Sequence, residues 1–279
     1  MSAASFESPA PAKRPKSGQY AAVARGERPR EAAVVHTHIL RCTLAADDCY
    51  AYWQRVRADV PVAERARVAF EERWFGTKSE ARVRTLVANL VERFDAYPDA
   101  LGLLTELEVV PAAVRPLLCH LHTQLSDPIY RRFAGDLLPS RREQGLVRID
   151  RDTVARWVDA SEPGRWSSST VLKFASNLLA TAYEAGLVQG RTDPRKVKAG
   201  AVPDLVLGYL LYLLRGVGIE GSVTDNPYLR SLGVMPSTFG TFAARVPGIE
   251  FAELGGAIDM TWLEPSLTAW GRRYLGGNP

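Results

Sequence analysis

The sequence predicts a mainly α-helical chain that carries a few small β-hairpins. Three observations support this. Apolar residues recur at helical spacing through most of the chain, and Val83, Leu86, Val87, Leu90, Val91 and Phe94 form the plainest stripe. Strand-like alternation is confined to short stretches beside turn residues, such as Leu187-Val188-Gln189 and Lys196-Val197-Lys198 around Gly190 to Arg195. Between about 129 and 202 the order is helix, strand, short helix, turn, longer helix, two-stranded hairpin. That is the order of a winged helix-turn-helix. The patterns divide the chain into a basic Pro/Ala-rich tail over 1–34 and a helical domain over 35–127. A winged-helix-like domain follows over 128–202, and a second winged-helix-like or helical domain over 203–279.

The tail holds Pro9, Pro11, Lys13, Arg14, Pro15 and Lys16, then Arg25, Arg28, Pro29 and Arg30. Low hydrophobicity with proline and charge predicts disorder. It reads either as a basic arm that touches phosphates or as a solvated leader. Val35-His36-Thr37-His38-Ile39-Leu40 alternates weakly, and helices are predicted over about 46–57 and 62–75. Thr77 and Glu80 read as a capping box for the helix that carries the stripe, which Tyr97-Pro98 ends. Arg82, Arg84 and Arg93 lie off that stripe. Further helices are predicted over about 100–107 and 112–125, and Asp127-Pro128 opens one that runs to about Arg142.

The central block runs from Gly145 to Val202. Leu146-Val147-Arg148-Ile149 is a short apolar burst, and Asp150 or Asp152 stands where a helix N-cap is needed. Ser161 to Gly164 breaks that short helix. A longer one opens behind Ser167-Ser168-Ser169-Thr170 and runs to about Glu184, where Gly186 stops it. Val171, Leu172, Ala175, Leu178, Leu179, Ala182 and Tyr183 share one face. Ser169, Lys173, Ser176 and Asn177 are left on the other, the face a reading helix offers to the major groove. Arg191, Arg195, Lys196 and Lys198 put positive charge on the wing. Arg141, Arg142, Arg148 and Arg151 put it at the block's leading edge. Winged helices also serve as protein-docking modules with merely solvated charges, so the pattern points to the fold more firmly than to the ligand.

After the block the pattern returns. Pro203 to Arg215 reads as a helix, Asn226-Pro227 opens a short one, and Ser237 caps another through Arg245. Ile249-Glu250-Phe251 and Ile258 to Trp262 alternate around Gly255-Gly256, a hairpin signal, and a last helix spans Ser266 to Tyr274. Charge separates the two halves of the chain. Residues 1–200 hold 30 Lys/Arg against 24 Asp/Glu, whereas 201–279 hold 5 against 7. The basic character suits a polyanion partner, and the acidic second unit reads as a protein contact.

Several other chemistries are weighed and set aside. Gly216-Val217-Gly218-Ile219-Glu220-Gly221 fits the dinucleotide fingerprint literally, but a helix precedes it and a loop follows. Gly76-Thr77-Lys78-Ser79 lacks the upstream glycine of a phosphate-binding loop. His36, His38 and Cys42, with Cys119, His120 and His122, hold no C-x-x-C anchor for zinc. No nucleophile has a positioned base. The expectation is therefore no enzyme, no metal and no cofactor. Three cysteines without an even framework and no apolar leader favour a cytoplasmic setting. The most apolar run, Val202 to Leu214, is too short to span a bilayer.

From Trp74 onward the sequence resembles the BrxA family of the bacterial BREX phage-defence systems. The resemblance rests on Thr77-Lys78-Ser79-Glu80-Ala81-Arg82-Val83-Arg84, continuing to Glu92-Arg93-Phe94. It rests also on Trp166-Ser167-Ser168-Ser169-Thr170-Val171-Leu172-Lys173, running through Leu178-Leu179 to Glu184-Ala185-Gly186-Leu187-Val188. It covers about two thirds of the chain. It implies a small, mostly helical, non-enzymatic DNA-binding component acting beside a methyltransferase and other defence proteins. Arg82, Arg84, Trp166, Ser169, Thr170 and Lys173 are the positions it carries over. Members of the family also resemble a helical RNA-binding antitermination factor, which would suit the first helical domain. The long basic tail departs from the pattern. The reading at this stage is a duplex-DNA binder that contacts phosphates through Arg141, Arg142, Arg148, Arg191, Lys196 and Lys198, with Lys173 and Asn177 toward the groove. The alternatives are an adaptor for other defence proteins, or RNA binding through the first helices.

Overall fold

The computed structural model describes residues 28–254 and 257–276. The tail before Arg28 and the Gly255-Gly256 turn lie outside the described residues. The chain is mainly helical, with two small antiparallel sheets. The first helices are α1 (Ala46–Arg55), α2 (Val62–Glu71), α3 (Glu80–Leu90), α4 (Pro98–Glu106) and α5 (Arg115–Ser126). The α3 cap is Ser79, whose side chain accepts the Arg82 N–H, and not the Thr77–Glu80 box that the local pattern also allows. Beyond α3 the chain continues through a π turn, Val91–Asp95. Arg93 is buried there, its guanidinium donating to the carbonyls of Cys42, Thr43 and Leu44 at 2.8 to 2.9 Å. Val35 to Leu40 forms no strand, only a short 3₁₀ turn at its end.

A long helix follows in three parts: α6 (Pro128–Arg132), a π turn (Phe133–Leu137) and α7 (Leu138–Glu143). Asp127 caps it by accepting the Tyr130 N–H. The central block supplies β1 (Arg148–Ile149), α8 (Arg151–Ser161), α9 (Ser168–Glu184), β2 (Val188–Gln189) and β3 (Arg195–Val197). Its strands pair antiparallel in the order β1-β3-β2. The C-terminal segment adds α10 (Asp204–Gly216), α11 (Pro227–Ser231), α12 (Phe239–Ala243), a two-stranded sheet of β4 (Ile249–Leu254) and β5 (Ala257–Trp262), and α13 (Leu267–Tyr274).

The buried apolar residues on both sides of 127/128 and of 202/203 are in contact. One hydrophobic cluster runs from Ile39 to Leu275. α5 lies at its centre, buried on every side, so its polar residues must find partners inside. His122 Nδ1 meets the Arg93 carbonyl at 2.9 Å, which makes it the donor. Its Nε2 therefore accepts from the Tyr209 hydroxyl of α10 at 2.7 Å. His120 lies 2.9 Å from both Tyr130 Oη and Ser231 Oγ, the latter on α11. At the far end Arg272 of α13 pairs with Glu106 of α4. α13 also seats against α10 at Gly208, where any Cβ would stand 2.3 Å from Trp270 Cζ2.

Residues 28–34 belong to the fold rather than to the tail. Arg28 donates to the Leu214 carbonyl at 3.0 Å, and the Gly218 N–H donates to Pro29 at 2.7 Å. Glu31 is buried against Arg131 and the Tyr228 hydroxyl. These bonds, with the Glu220 N–H donating to Glu31 at 2.8 Å, also hold the Gly216–Gly221 loop in place.

Candidate nucleic-acid interface

The central block is assembled by capping and by one buried helix face. Asp150 caps α8, its Oδ1 accepting the Thr153 N–H at 2.7 Å, and that bond holds its carboxyl below the usual range. Ser167 caps α9 from 3.4 Å and lies within 3.1 Å of the Ser169 and Thr170 hydroxyls. α9 buries Val171, Phe174, Ala175, Leu178, Leu179 and Ala182. Trp166 closes over Phe174 with ring centroids 4.3 Å apart. The predicted stripe is thus right along its centre and wrong at its edges. Leu172 and Tyr183 are exposed, and Phe174, left out of it, is fully buried.

The sheet turns Ile149, Val188 and Val197 inward and leaves a cationic row outside. Arg148 stands directly opposite Lys196, which stands opposite Gln189, and all three are exposed. Directly opposed like charges destabilise an antiparallel pair. Neither cation has a carboxylate partner among the described residues, and the same holds for exposed Lys173 on α9 and Lys198 beyond β3. Arg191, in the β2–β3 connection, reaches the Tyr183 hydroxyl at 3.2 Å, a bond that raises its pKa. That connection folds back on α8, because Asp193 accepts the Arg151 N–H at 2.9 Å. Arg195 turns inward to the Leu179 carbonyl at 2.8 Å.

Other expected contacts lie elsewhere. Asn177 does not face a groove. Its amide donates to the Ile39 carbonyl at 2.9 Å and ties α9 to the N-terminal helices. Glu184 adds a second tie by accepting the Ala45 and Ala46 N–H groups at the start of α1. Arg142 is half-buried and donates to the carbonyls of Lys198, Arg230 and Ser231. Arg141 is spent on the Arg148 carbonyl, pinning β1 to α7. On α3, Arg84 pairs with Glu80 at 2.8 Å and Arg82 donates to the Arg41 carbonyl at 2.6 Å. Arg156 is a further exposed cation, on α8, and its place off the Val154–Val158 line is the sequence signal for it. Exposed Asp152 and Asp159 make that helix face mixed, so the unbroken positive surface belongs to the sheet.

The metal-ligand candidates do not converge. Both ring nitrogens of His120 and of His122 are bonded within the protein, and burial pushes the two imidazoles down to about 3 and about 4. His36 and His38 stack with centroids 3.9 Å apart, and His36 Nε2 lies 2.8 Å from the Ser126 carbonyl. No group of three metal-ligating residues occurs among the described residues. No described helix is long and apolar enough to cross a membrane. No family model matches the chain, and no curated protein matches its sequence.

Proposed function

We propose that this chain is a non-enzymatic protein that binds duplex DNA largely through phosphates. In this reading residues 128–202 act as a winged helix-turn-helix, and the chain works beside other proteins of a BREX-type anti-phage system. The observation that carries the DNA reading is the exposed, carboxylate-free row of Arg148 and Lys196 across β1 and β3. A polyanion relieves the repulsion between them, and an antiparallel sheet spaces its side chains regularly enough to follow a phosphate backbone. Lys198 and Arg191 extend the charge to either side, and α9 offers Ser169, Thr170 and Lys173 from its first turns. The defence role rests on the resemblance drawn from the sequence.

The test is the salt dependence of duplex binding, read by fluorescence anisotropy. Each neutralised phosphate contributes a slope of about −0.9 in log K against log salt, so four such contacts give roughly −3 to −4. A flat salt response, or no binding at about 50 mM salt, would overturn the reading.

A second reading attaches to the C-terminal hairpin, where exposed Ile258 stands directly opposite exposed Glu253. An apolar surface with an acidic border suits a protein partner better than a phosphate backbone. The adaptor role predicts salt-insensitive co-purification with the methyltransferase of such a system, lost in Ile258→Asp while duplex binding stays intact. Competition between duplex and RNA decides whether the first helices contribute RNA binding.

A further inference from the structure

Where β3 leaves the sheet, the fold forms an open pocket of about 90 Å³ between α7, the 198–201 segment and the end of α11. A water occupies about 30 Å³ of liquid, so the space holds about three waters or one tetrahedral oxyanion. Its lining contains no Asp or Glu and two cations, Arg142 and Lys198.

Arg142 is unusual in how it is satisfied. Its Nε donates to the Lys198 carbonyl at 2.8 Å, and its Nη1 lies 3.3 Å from the carbonyls of Arg230 and Ser231. Four hydrogen bonds to carbonyls leave one of its five N–H groups over and bring no countercharge, and no carboxylate pairs with this guanidinium among the described residues. Burial lowers its pKa from the ordinary arginine value. Its charge also reaches inward to His120, whose pKa is pushed down to about 3, by burial first and by Arg142 second. A desolvated, uncompensated cation is costly, and an anion in the adjoining space offsets that cost.

The solvent-exposed 199–201 segment lines the pocket as well. The amide N–H groups of Ala199, Gly200 and Ala201 have no acceptor among the described residues. Their segment is held in place, because a Cβ on Gly200 would stand 2.2 Å from the Gly233 Cα. Only glycine permits the two backbones to lie this close.

We infer that this pocket is a site for a tetrahedral oxyanion of the phosphate class, held by Arg142, Lys198 and the amides of residues 199–201. The inference does not depend on duplex binding. Inorganic phosphate and a phosphate of a nucleic-acid backbone share the chemistry that the site recognises.

The experiment is a titration of the full chain with inorganic phosphate at constant ionic strength, balanced with chloride and read as the unfolding temperature. The wild type is expected to show a saturable rise of a few degrees, as a ligand bound only by the folded state produces. Lys198→Gln, on the exposed rim, should weaken the apparent phosphate affinity about tenfold, the factor that 1.4 kcal/mol represents, with its ligand-free unfolding temperature unchanged. Arg142→Lys keeps the charge and loses the planar fork, so it should bind phosphate more weakly than the wild type. Should that variant fail to fold, the Lys198 variant decides alone. A rise that chloride reproduces, or one that Lys198→Gln leaves intact, would overturn the site. A labelled duplex then separates the two sources. Competitive displacement of the duplex by phosphate, lost in Lys198→Gln, assigns the pocket to a backbone phosphate. Saturable phosphate binding without displacement assigns it to the free anion.

Discussion

The central block and the C-terminal segment follow a similar order of helices and hairpin, yet their cations are treated in opposite ways. In the C-terminal segment each of the five arginines is engaged. Arg215 lies 4.5 Å from the Trp262 ring, Arg230 pairs with Asp136 and Asp225, Arg245 with Asp204, Arg272 with Glu106 and Arg273 with Glu264. In the block, Arg148, Lys173, Lys196 and Lys198 pair with no carboxylate among the described residues. Exposed ion pairs add at most about 1 kcal/mol of stability, so the contrast matters for the surface potential more than for the fold. The net charge of +4 conceals this. What an anion meets depends on which cations are already paired, and of these two segments only the central block leaves cations bare.

The comparison holds only while the C-terminal segment stays joined to the rest, and two buried imidazoles help to make that joint. His122 bonds to Tyr209 of α10 and His120 to Ser231 of α11. Burial keeps both neutral, at about 4 and about 3, whereas an unfolded histidine takes up its proton near 6.5. Below about pH 6.5 the unfolded chain binds more protons, so stability falls with pH until the folded values are reached. Each imidazole contributes about 1.4 kcal/mol per pH unit across that interval. Burial raises the Asp127 pKa, which acts in the opposite direction. Urea denaturation between pH 7 and 5, with the wild type set beside a histidine variant, therefore isolates the imidazole contribution. A loss of about 2 kcal/mol or more is expected over those two units, and His122→Gln should shrink it. A flat profile would mean that the joint is already open to water.

The next largest effect strikes the contrast directly. Arg148→Glu with Lys196→Glu should weaken duplex binding roughly 100-fold and reduce the salt slope by about 2. Arg245→Glu, which breaks the Asp204 pair in the other segment, should change binding less than about twofold. Equal losses from both would abolish the distinction between the hairpins. A smaller effect tests the packing that joins α13 to α10. Gly208→Ala places a methyl group against Trp270 and should cost about 1 to 3 kcal/mol in chemical denaturation.

The helices were legible because burial repeats along them, and the misreadings are those of position rather than of type. Leu172 and Tyr183 sit at the edges of the α9 stripe, where spacing alone does not decide between core and solvent. Spacing places Asn177 on the outer face because its partner, the Ile39 carbonyl, lies 138 residues away in sequence. The same distance problem hid Arg142, whose acceptors come from β3's exit and from α11. Thr77 and Ser79 are both hydroxyls before the same helix, and only backbone geometry chooses Ser79. The cations of the sheet were named from sequence, but not their opposition. Register puts Arg148 across from Lys196, and a slip of one residue would have sent one of them inward.

That register makes the smallest prediction the sharpest. If Arg148 and Lys196 repel each other across β1 and β3, reversing only one of them creates an attractive pair at the same position. Arg148→Glu should therefore raise stability by about 0.2 to 1 kcal/mol, visible as a small increase in the urea midpoint with an unchanged slope. The same substitution should weaken duplex binding. Opposite signs in the two measurements are what a row kept repulsive for the sake of a polyanion requires, since functional surfaces commonly carry a stability cost. Raising the salt concentration screens the new pair and should shrink the gain. A variant that loses both stability and binding would place Arg148 among the ordinary structural residues of the sheet, and the row could no longer support the DNA reading.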